Sequence, residues 1–344
     1  YTTKQILLFP QRIDENIAQF LNYPADSAGS VMTIDYVDLK KNLTVKKAIE
    51  RIRKIANDKE PLDICYVTDS HRILEGTVSI RDILFSGDQE KIEDIMDKNI
   101  IFAKTTDDQE SVSKMFMKYD CSSLAVVDKE QRLVGIITVD DIVDVIQDEN
   151  TEDFEIMAAI TPSEKPYLKT NIFRLAFNRI PWLLFLMFSA TLTGLVINKY
   201  ENLLAVQTVL MAFVPMLMDT GGNSGSQSAT LAIRGLALNE INTSDFFTIM
   251  LKETFVGSVA GLVLAVFNFV RLTLLNYDIK VAITVCCSIF LTVIIANVIG
   301  GVLPLVAKFF KLDPALMAAP LITTIVDVVA LIAYFKIASI FITF

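Results

Sequence analysis

The arrangement of polar and apolar positions divides the chain in two. As far as Glu164, charged and apolar residues alternate at the periods of soluble helices and strands; beyond Pro181, long uncharged runs take over. These runs are Pro181–Ile197, Leu203–Met218, Thr254–Val270, Val281–Ala307 and Pro314–Phe335, the last interrupted only by Asp327. A bilayer core of roughly 30 Å takes about 20 mostly apolar helical residues. Extended a few residues into their flanks, the runs predict five membrane spans near 180–198, 203–232, 252–275, 281–308 and 314–340. Five such runs in succession are not the pattern of buried helices in a soluble protein.

The soluble half contains an internal repeat. "SVMTIDY" (Ser30–Tyr36) matches "DIMDKNI" (Asp94–Ile100), and "CYVTDSHRILEGTVSIRDIL" (Cys65–Leu84) matches "LAVVDKEQRLVGIITVDDIV" (Leu124–Val143) without a gap. Each copy reads as a helix, a β-branched strand, a turn, a second strand and a capped helix. The copies end in Gly76-x-x-Ser79-x-x-Asp82 and Gly135-x-x-Thr138-x-x-Asp141. This pattern resembles a tandem pair of CBS modules, an α/β regulatory fold. The resemblance implies that Ser79, Asp82, Thr138 and Asp141 face a cleft that takes ATP or another adenine nucleotide. Equally, hydroxyl and aspartate can serve only to cap the helix that follows.

Composition averages over these unlike halves: 344 residues, 52% hydrophobic, mean hydropathy +0.46 and net charge −9. Cys65, Cys121, Cys286 and Cys287 form neither a CxxC pair nor a disulfide framework, which suits a reducing cytosol. Lys and Arg are more numerous in the segments that share a side with the soluble half, which orients that half to the cytosol and the C-terminus outside. The chain opens at Tyr1, and residues 1–24 read as the tail of a helical N-terminal domain.

Between repeat and spans lies an acidic hinge. No Lys or Arg occurs from Leu133 to Glu164, and Asp141, Asp144, Asp148 and Glu152 recur at helical spacing on one face. Like charges so placed oppose a helix unless something neutralises them; oxygen-ligated divalent cations do so, and so does plain solvation. Lys165–Ile180, "KPYLKTNIFRLAFNRI", follows as an expected amphipathic basic helix connecting the hinge to the membrane. Residues 25–90, 91–150, 151–180 and 181–344 are thus the first module, the second module, the hinge with its connecting helix, and the membrane domain.

The most unusual stretch is "MDTGGNSGSQSATLAIRG", Met218–Gly235, set directly after an uncharged run. Polar backbone and side chains at such a place need protein or a watery cavity around them. Gly221, Gly222 and Gly225 permit either a break in the helix or close helix approach. Asn223 and Gln227 share one helical face. A carboxylate as deep as Asp327 is costly and therefore points to function. With Asp219 and the two amides, it describes an oxygen-lined path for a cation.

"PMLMDTGGNSGSQSATLAIRGLA" (Pro215–Ala237) and "LDPALMAAPLITTIVDVVALIAYF" (Leu312–Phe335) resemble membrane helices of the MgtE family of magnesium transporters. So does "YPADSAGSVMT" (Tyr23–Thr33). The resemblance implies a homodimeric, multi-pass Mg2+ channel of the cell membrane, shut by cytosolic Mg2+ bound between acidic surfaces, with its pore on the dimer axis. It places the intramembrane ion at Asp327 with the Thr323 carbonyl, and a mouth site at Asp313. The regulatory metal falls on Glu110, Asp120, Asp141, Asp144, Glu149, Glu152 and Asp153. Mn2+, Co2+ or Ca2+ as the ion, and a nucleotide-sensing receptor without transport, are the competing readings. An enzyme is not expected, because the single histidine, His71, lies in the soluble half and no aspartyl-protease G-x-G-D accompanies Asp219 or Asp327. No nucleic-acid partner is expected.

Overall fold

The computed structural model describes residues 23–55, 62–163, 167–317 and 319–341. The expected N-terminal tail, 1–24, lies almost wholly outside the described residues, as does the start of the expected connecting helix. The chain forms two compact units, 1–150 and 151–344.

The first unit is the repeat in three dimensions. Its elements are α1 (Ala28–Val31), β1 (Asp38–Leu39), α2 (Val45–Ile55), β2 (Ile64–Thr68), β3 (Leu74–Ser79), α3 (Ile80–Phe85) and α4 (Ile92–Ile95). They continue as β4 (Phe102–Lys104), α5 (Gln109–Tyr119), β5 (Ser123–Val127), β6 (Leu133–Thr138) and α6 (Val139–Met157). Two three-stranded sheets result, β1-β2-β3 and β4-β5-β6, each with a parallel first pair and an antiparallel second pair. Both hairpins shift register at the same place, between Val67 and Thr68 and between Val126 and Val127. Their turns use the same chemistry. The Asp69 carboxylate accepts from the His71 and Ile73 amides at 2.7 and 2.8 Å, and Asp128 accepts from Glu130 and Arg132 at 3.0 and 2.8 Å.

The modules exchange their lead-in segments. Thr33 pairs with Ile136 of β6, and Asp97 with Thr77 of β3. Ala28 and Met32 belong to the core of the second copy, beside Val112, Leu124 and Ile137, while Ile92 completes the first, beside Val45, Cys65 and Val78. Each glycine of the repeated tail makes room for a lead-in methionine: a Cβ on Gly76 would lie 2.8 Å from Met96 Sδ, and one on Gly135 2.7 Å from Met32 Sδ. The sheets are joined by a buried cluster of Tyr66, Ala125, Leu133 and Ile136, within which Tyr66 Oη and Ser123 Oγ share a hydrogen bond of 2.7 Å.

The second unit is helical. It comprises α7 (Ile172–Lys199), α8 (Glu201–Val206), α9 (Val214–Ala237), α10 (Phe246–Leu274), α11 (Ile279–Phe309) and α12 (Ala319–Phe341). Helix α11 is its centre, packed against α9, α10 and α12 and burying Val285, Ile289, Val293 and Ala296; α7 packs against α12 with Val196 and Ile197 half-buried and no residue fully buried. Among the described residues, four segments are long and apolar enough to cross a membrane: Ile172–Lys199, Thr243–Leu274, Ile279–Phe309 and Ala319–Phe341. The fifth expected span is α9, whose 24 residues suffice in length but carry the polar run.

Two boundaries differ from the sequence expectation. The connecting helix is not separate: Asn171 caps α7, which then runs on through Pro181 to Lys199. A proline inside a helix costs one N–H bond and crowds the carbonyl four residues earlier. The second difference concerns Leu203–Met218, which is not one helix but α8, a 3-10 turn at Thr208–Phe213 and the first turn of α9. Pro215 sits in that first turn, where no N–H is needed and its fixed φ suits a helix start. The span is thereby displaced towards its C-terminus, into the glycine-polar run.

Candidate functional site in the helical unit

Glycines shape the wall of this site by what they lack. Helix α9 is unbroken through Gly221, Gly222 and Gly225, and no described glycine has positive φ. They therefore serve close approach rather than a helix break. A Cβ on Gly222 would stand 2.7 Å from Thr323 Cγ2; one on Gly225, 2.9 Å from Ile322 Cγ2 and 3.1 Å from the Ala296 carbonyl oxygen. One turn further along α11, a Cβ on Gly300 would run into the Gly225 carbonyl, leaving no room for a side chain. Helix α11 thus meets α9 nearly backbone to backbone, and α12 lays the side chains of Ile322, Thr323 and Val326 against the glycine backbone.

With its glycine face buried, α9 turns its other face outwards. Asp219, Asn223 and Gln227, each one turn apart, are all exposed, while Gly221, Gly222, Gly225 and Ser228 are buried. Lipid cannot satisfy such a face. Across from it, Asp327 projects from α12, about 12 Å along the helix from Ala319 at 1.5 Å per residue. It is half-buried, and its Oδ1 is buried without a hydrogen-bond partner among the described residues. Asp219 is the charged group facing it. Thr323, one turn before Asp327 and in reach of Gly222, donates its hydroxyl to the Ala319 carbonyl at 2.7 Å. The Thr323 carbonyl lies inside an unbroken helix, where the Asp327 N–H takes up one of its two lone pairs.

The structure therefore gathers Asp219, Gly222, Thr323 and Asp327, with Asn223 and Gln227 continuing the same face of α9. Asp313 stands outside the group, before a 3-10 turn whose Ala315 amide it accepts at 2.8 Å. Sequence reasoning missed Glu253, taken as the flank of an apolar run. Because α10 begins at Phe246, Glu253 lies two turns inside the helix and packs against Gly301, whose Cβ would meet its Cγ at 2.7 Å. It also missed Asn297, 5% exposed in the middle of α11. Their signal was present: each is a polar residue embedded in or beside an apolar run.

In the first unit a cavity of about 540 Å³ is lined by Asp63, Ser79, Arg81, Phe85 and Ser122, among others. Ser79 stands in its wall. Its Oγ accepts from the Asp82 amide at 3.0 Å and donates to the Asp82 carboxylate at 2.6 Å, so capping and cavity lining coexist in one residue. Thr138 donates to Asp141 in the same way at 2.8 Å, but this pair does not line the cavity.

The expected regulatory acids are dispersed. Glu110 pairs with Lys114 at 2.7 Å, Asp120 is the left-handed cap of α5, and Glu149 accepts from Gln109 at 2.7 Å. Asp144, Glu152 and Asp153 are exposed along α6. No three acidic, His or Cys groups converge on a metal-sized site among the described residues. Within one chain these acids form a surface, not a chelate.

Comparison with known proteins agrees with this division. The profile of the MgtE family, described as divalent cation transporter, matches residues 214–337, and that of the CBS domain matches 92–148. The magnesium transporter MgtE of Thermus thermophilus is 34% identical over 331 residues, 96% of this chain and 73% of that protein. Its Bacillus subtilis namesake is 36% identical over 330 residues, 94% of this chain and 71% of that protein. Among solved structures, the soluble part of a magnesium transporter is 37% identical with a TM-score of 0.38, the match covering 39% of this chain and 52% of that one. The cytosolic domain of the Mg2+ channel MgtE in complex with ATP is 36% identical with a TM-score of 0.37, covering 38% and 52%. These relatives are transporters, in keeping with the expectation that the chain is not an enzyme. A CBS pair followed by the glycine-polar helix and the Asp327 helix, aligned along nearly the whole length with such relatives, places this chain in the MgtE family of divalent cation transporters.

Proposed function

We propose that the protein is a homodimeric Mg2+ channel or transporter of the cell membrane, its soluble half in the cytosol and its C-terminus outside. The observation that carries this reading is the exposed Asp219–Asn223–Gln227 face of α9 beside Asp327, whose Oδ1 is buried without a donor among the described residues. Two copies related by a two-fold axis would turn these faces towards each other and enclose a hydrated path. Mg2+ sheds its water reluctantly and is held through one or two carboxylates with waters retained. Paired Asp327 carboxylates would hold the hydrated ion by outer-sphere contacts, helped by Thr323 carbonyls and Asn223 amides. Such contacts are weak enough to let the ion leave. Asp313 would serve the cytosolic mouth.

Gating belongs to the acidic surface. Mg2+ bound by Asp141, Asp144, Glu149, Glu152 and Asp153, with Glu110 and Asp120, would draw acidic faces together and shut the path; without it they repel and separate. The cavity at Ser79 and Arg81 would take an adenine nucleotide, with Asp63 in its wall, and Asp82 bonded to Ser79, as acceptors for ribose hydroxyls.

The test is uptake into liposomes at low and high internal Mg2+, for the protein and for Asp327→Asn. The proposal expects uptake that falls by about tenfold or more in the variant, at least about 1.4 kcal/mol of lost ion stabilisation. It also expects uptake to fall at high internal Mg2+. Uptake indifferent to Asp327→Asn removes that carboxylate from the path. Folded protein that moves Mn2+, Co2+ or Ca2+ but not Mg2+ changes the ion, and protein that moves none leaves a nucleotide-sensing receptor.

A further inference from the structure

Four hydroxyls of α9 fall into two groups. Ser226 and Thr230 donate to their own helix, to the carbonyls of Gly222 and Ser226 at 2.7 and 2.9 Å. Ser224 and Ser228 leave their helix for Asn297 of α11: Ser228 Oγ donates to the Asn297 backbone carbonyl at 2.9 Å, and Ser224 meets its side chain. The Asn297 amide is fully satisfied in one orientation. Its nitrogen donates to both the carbonyl and the hydroxyl of Ser224 at 3.0 Å, and its oxygen accepts from the Gly257 N–H of α10 at 3.2 Å. One side chain, 5% exposed, thereby ties three helices at one level.

The residues gripped have significance through their neighbours. Ser224 follows Asn223, and Ser228 follows Gln227, the two amides of the exposed face. A helix advances 100° per residue, so fixing Ser224 and Ser228 against α11 fixes the direction in which Asn223 and Gln227 point. The glycine contacts set how closely α9 approaches and which face it buries; the bonds of Ser224 and Ser228 to Asn297 hold its rotation at that distance. We infer that Asn297 is a positioning residue: it sets the rotation of α9 so that Asn223 and Gln227 present their amides to the ion, and thereby governs which divalent cation the path accepts. This rests on the transport reading above.

The alternative is that Asn297 only stabilises the bundle. In membranes such interhelical hydrogen bonds average about 0.6 kcal/mol, modest enough for a variant to remain folded. Asn297→Leu keeps the branched outline and removes the bonds, and Ser224→Ala removes one partner only. Thr254→Val is the control, since Thr254 bonds its own helix at Met250, 2.7 Å away. The proteins are reconstituted in full, folded protein is quantified by size-exclusion chromatography, and uptake of Mg2+, Co2+ and Ca2+ is measured against concentration.

Positioning expects Asn297→Leu to lower discrimination between Mg2+ and Ca2+ by about tenfold and to raise the half-saturating concentration. Ser224→Ala shifts both several-fold in the same direction, the double variant resembles Asn297→Leu alone, and Thr254→Val leaves the ratio unchanged. A purely structural role lowers the amount of folded protein and scales all three ions equally; unchanged ratios in Asn297→Leu and Ser224→Ala overturn the inference. If Asn297→Leu does not fold, Ser224→Ala alone decides, by the same ratio. Absence of any uptake by the parent protein overturns the transport reading, and this inference with it.

Discussion

Gly300→Ala is the sharpest test of how closely the helices of the second unit meet. The new methyl group would collide with the Gly225 carbonyl, a backbone atom of α9 that no rotamer change can move. Relief requires α9 and α11 to separate by a good part of an ångström. Overpacking of this kind typically costs about 1–3 kcal/mol. The same separation stretches the bonds of Ser224 and Ser228 to Asn297, now 3.0 and 2.9 Å, and losing both adds roughly 1 kcal/mol. The total is about 2–4 kcal/mol. For a unit of this size, each kcal/mol shifts the midpoint by about 2–4 °C, so the apparent Tm in detergent should fall by roughly 5–15 °C. Gly194→Ala is the counterpart. Nothing lies within 4 Å of its Cβ, and it sits inside α7, where alanine is worth about 0.5–1 kcal/mol more than glycine. Thermal scans of the purified protein followed by size-exclusion chromatography measure both. A Gly300→Ala protein that melts with the parent or above it would show that α9 and α11 do not touch at the backbone.

Further outcomes follow from other contacts. Burial pushes the Cys65 thiol and the Tyr66 hydroxyl each up to about 12. Both are acids that keep their protons in the folded state while the unfolded chain releases them from about pH 8.5 and 10. Their contribution is intact below about pH 8.5 and is lost as pH rises from there towards 12; circular dichroism melts between pH 8 and 11 should show the strand signal destabilised, and a flat profile refutes the assignment. Ser79→Ala removes the cap on α3 and should cost about 1 kcal/mol, while weakening any adenine nucleotide several-fold by calorimetry; loss of stability with unchanged nucleotide affinity leaves Ser79 a cap alone. Tyr66→Phe leaves Ser123 Oγ buried without its partner and should cost about 1–3 kcal/mol in chemical denaturation, with uptake per folded protein unchanged.

The repeat was legible because its strands are fixed by local pattern. The shared spacing brings out β2 and β3 as copies of β5 and β6, down to the register shift and the aspartate turn. What no spacing reveals is which copy a lead-in segment joins, since Met32 and Met96 suit either core by size and polarity alike. In the membrane half, hydropathy finds four helices because lipid and protein interior both take apolar residues. It misplaces α9, since there the deciding features are Pro215, which opens the helix, and the glycines, whose effect lies in the contact they allow. Of the proposed path, Asp327, Asp219 and Asn223 were readable as polarity out of place. Asn297 and Glu253 were not read: an amide within a long apolar run and an acid at the edge of one stand out less than a carboxylate in its middle, and their partners come from other helices.

The exchanged lead-ins bear on how the chain is made. When the ribosome has released only the first copy, β3 lacks Asp97 and the core around Val45 lacks Ile92, which arrive in the segment that opens the second. The lead-in at Ala28 and Met32, synthesised first, waits still longer, for β6 some hundred residues on. Neither copy can finish alone. A chain cut between residues 90 and 91 yields two halves that each carry the other's missing piece, so they should fold when expressed together and fail when expressed apart. Duplication of one module thereby became a single cooperative body.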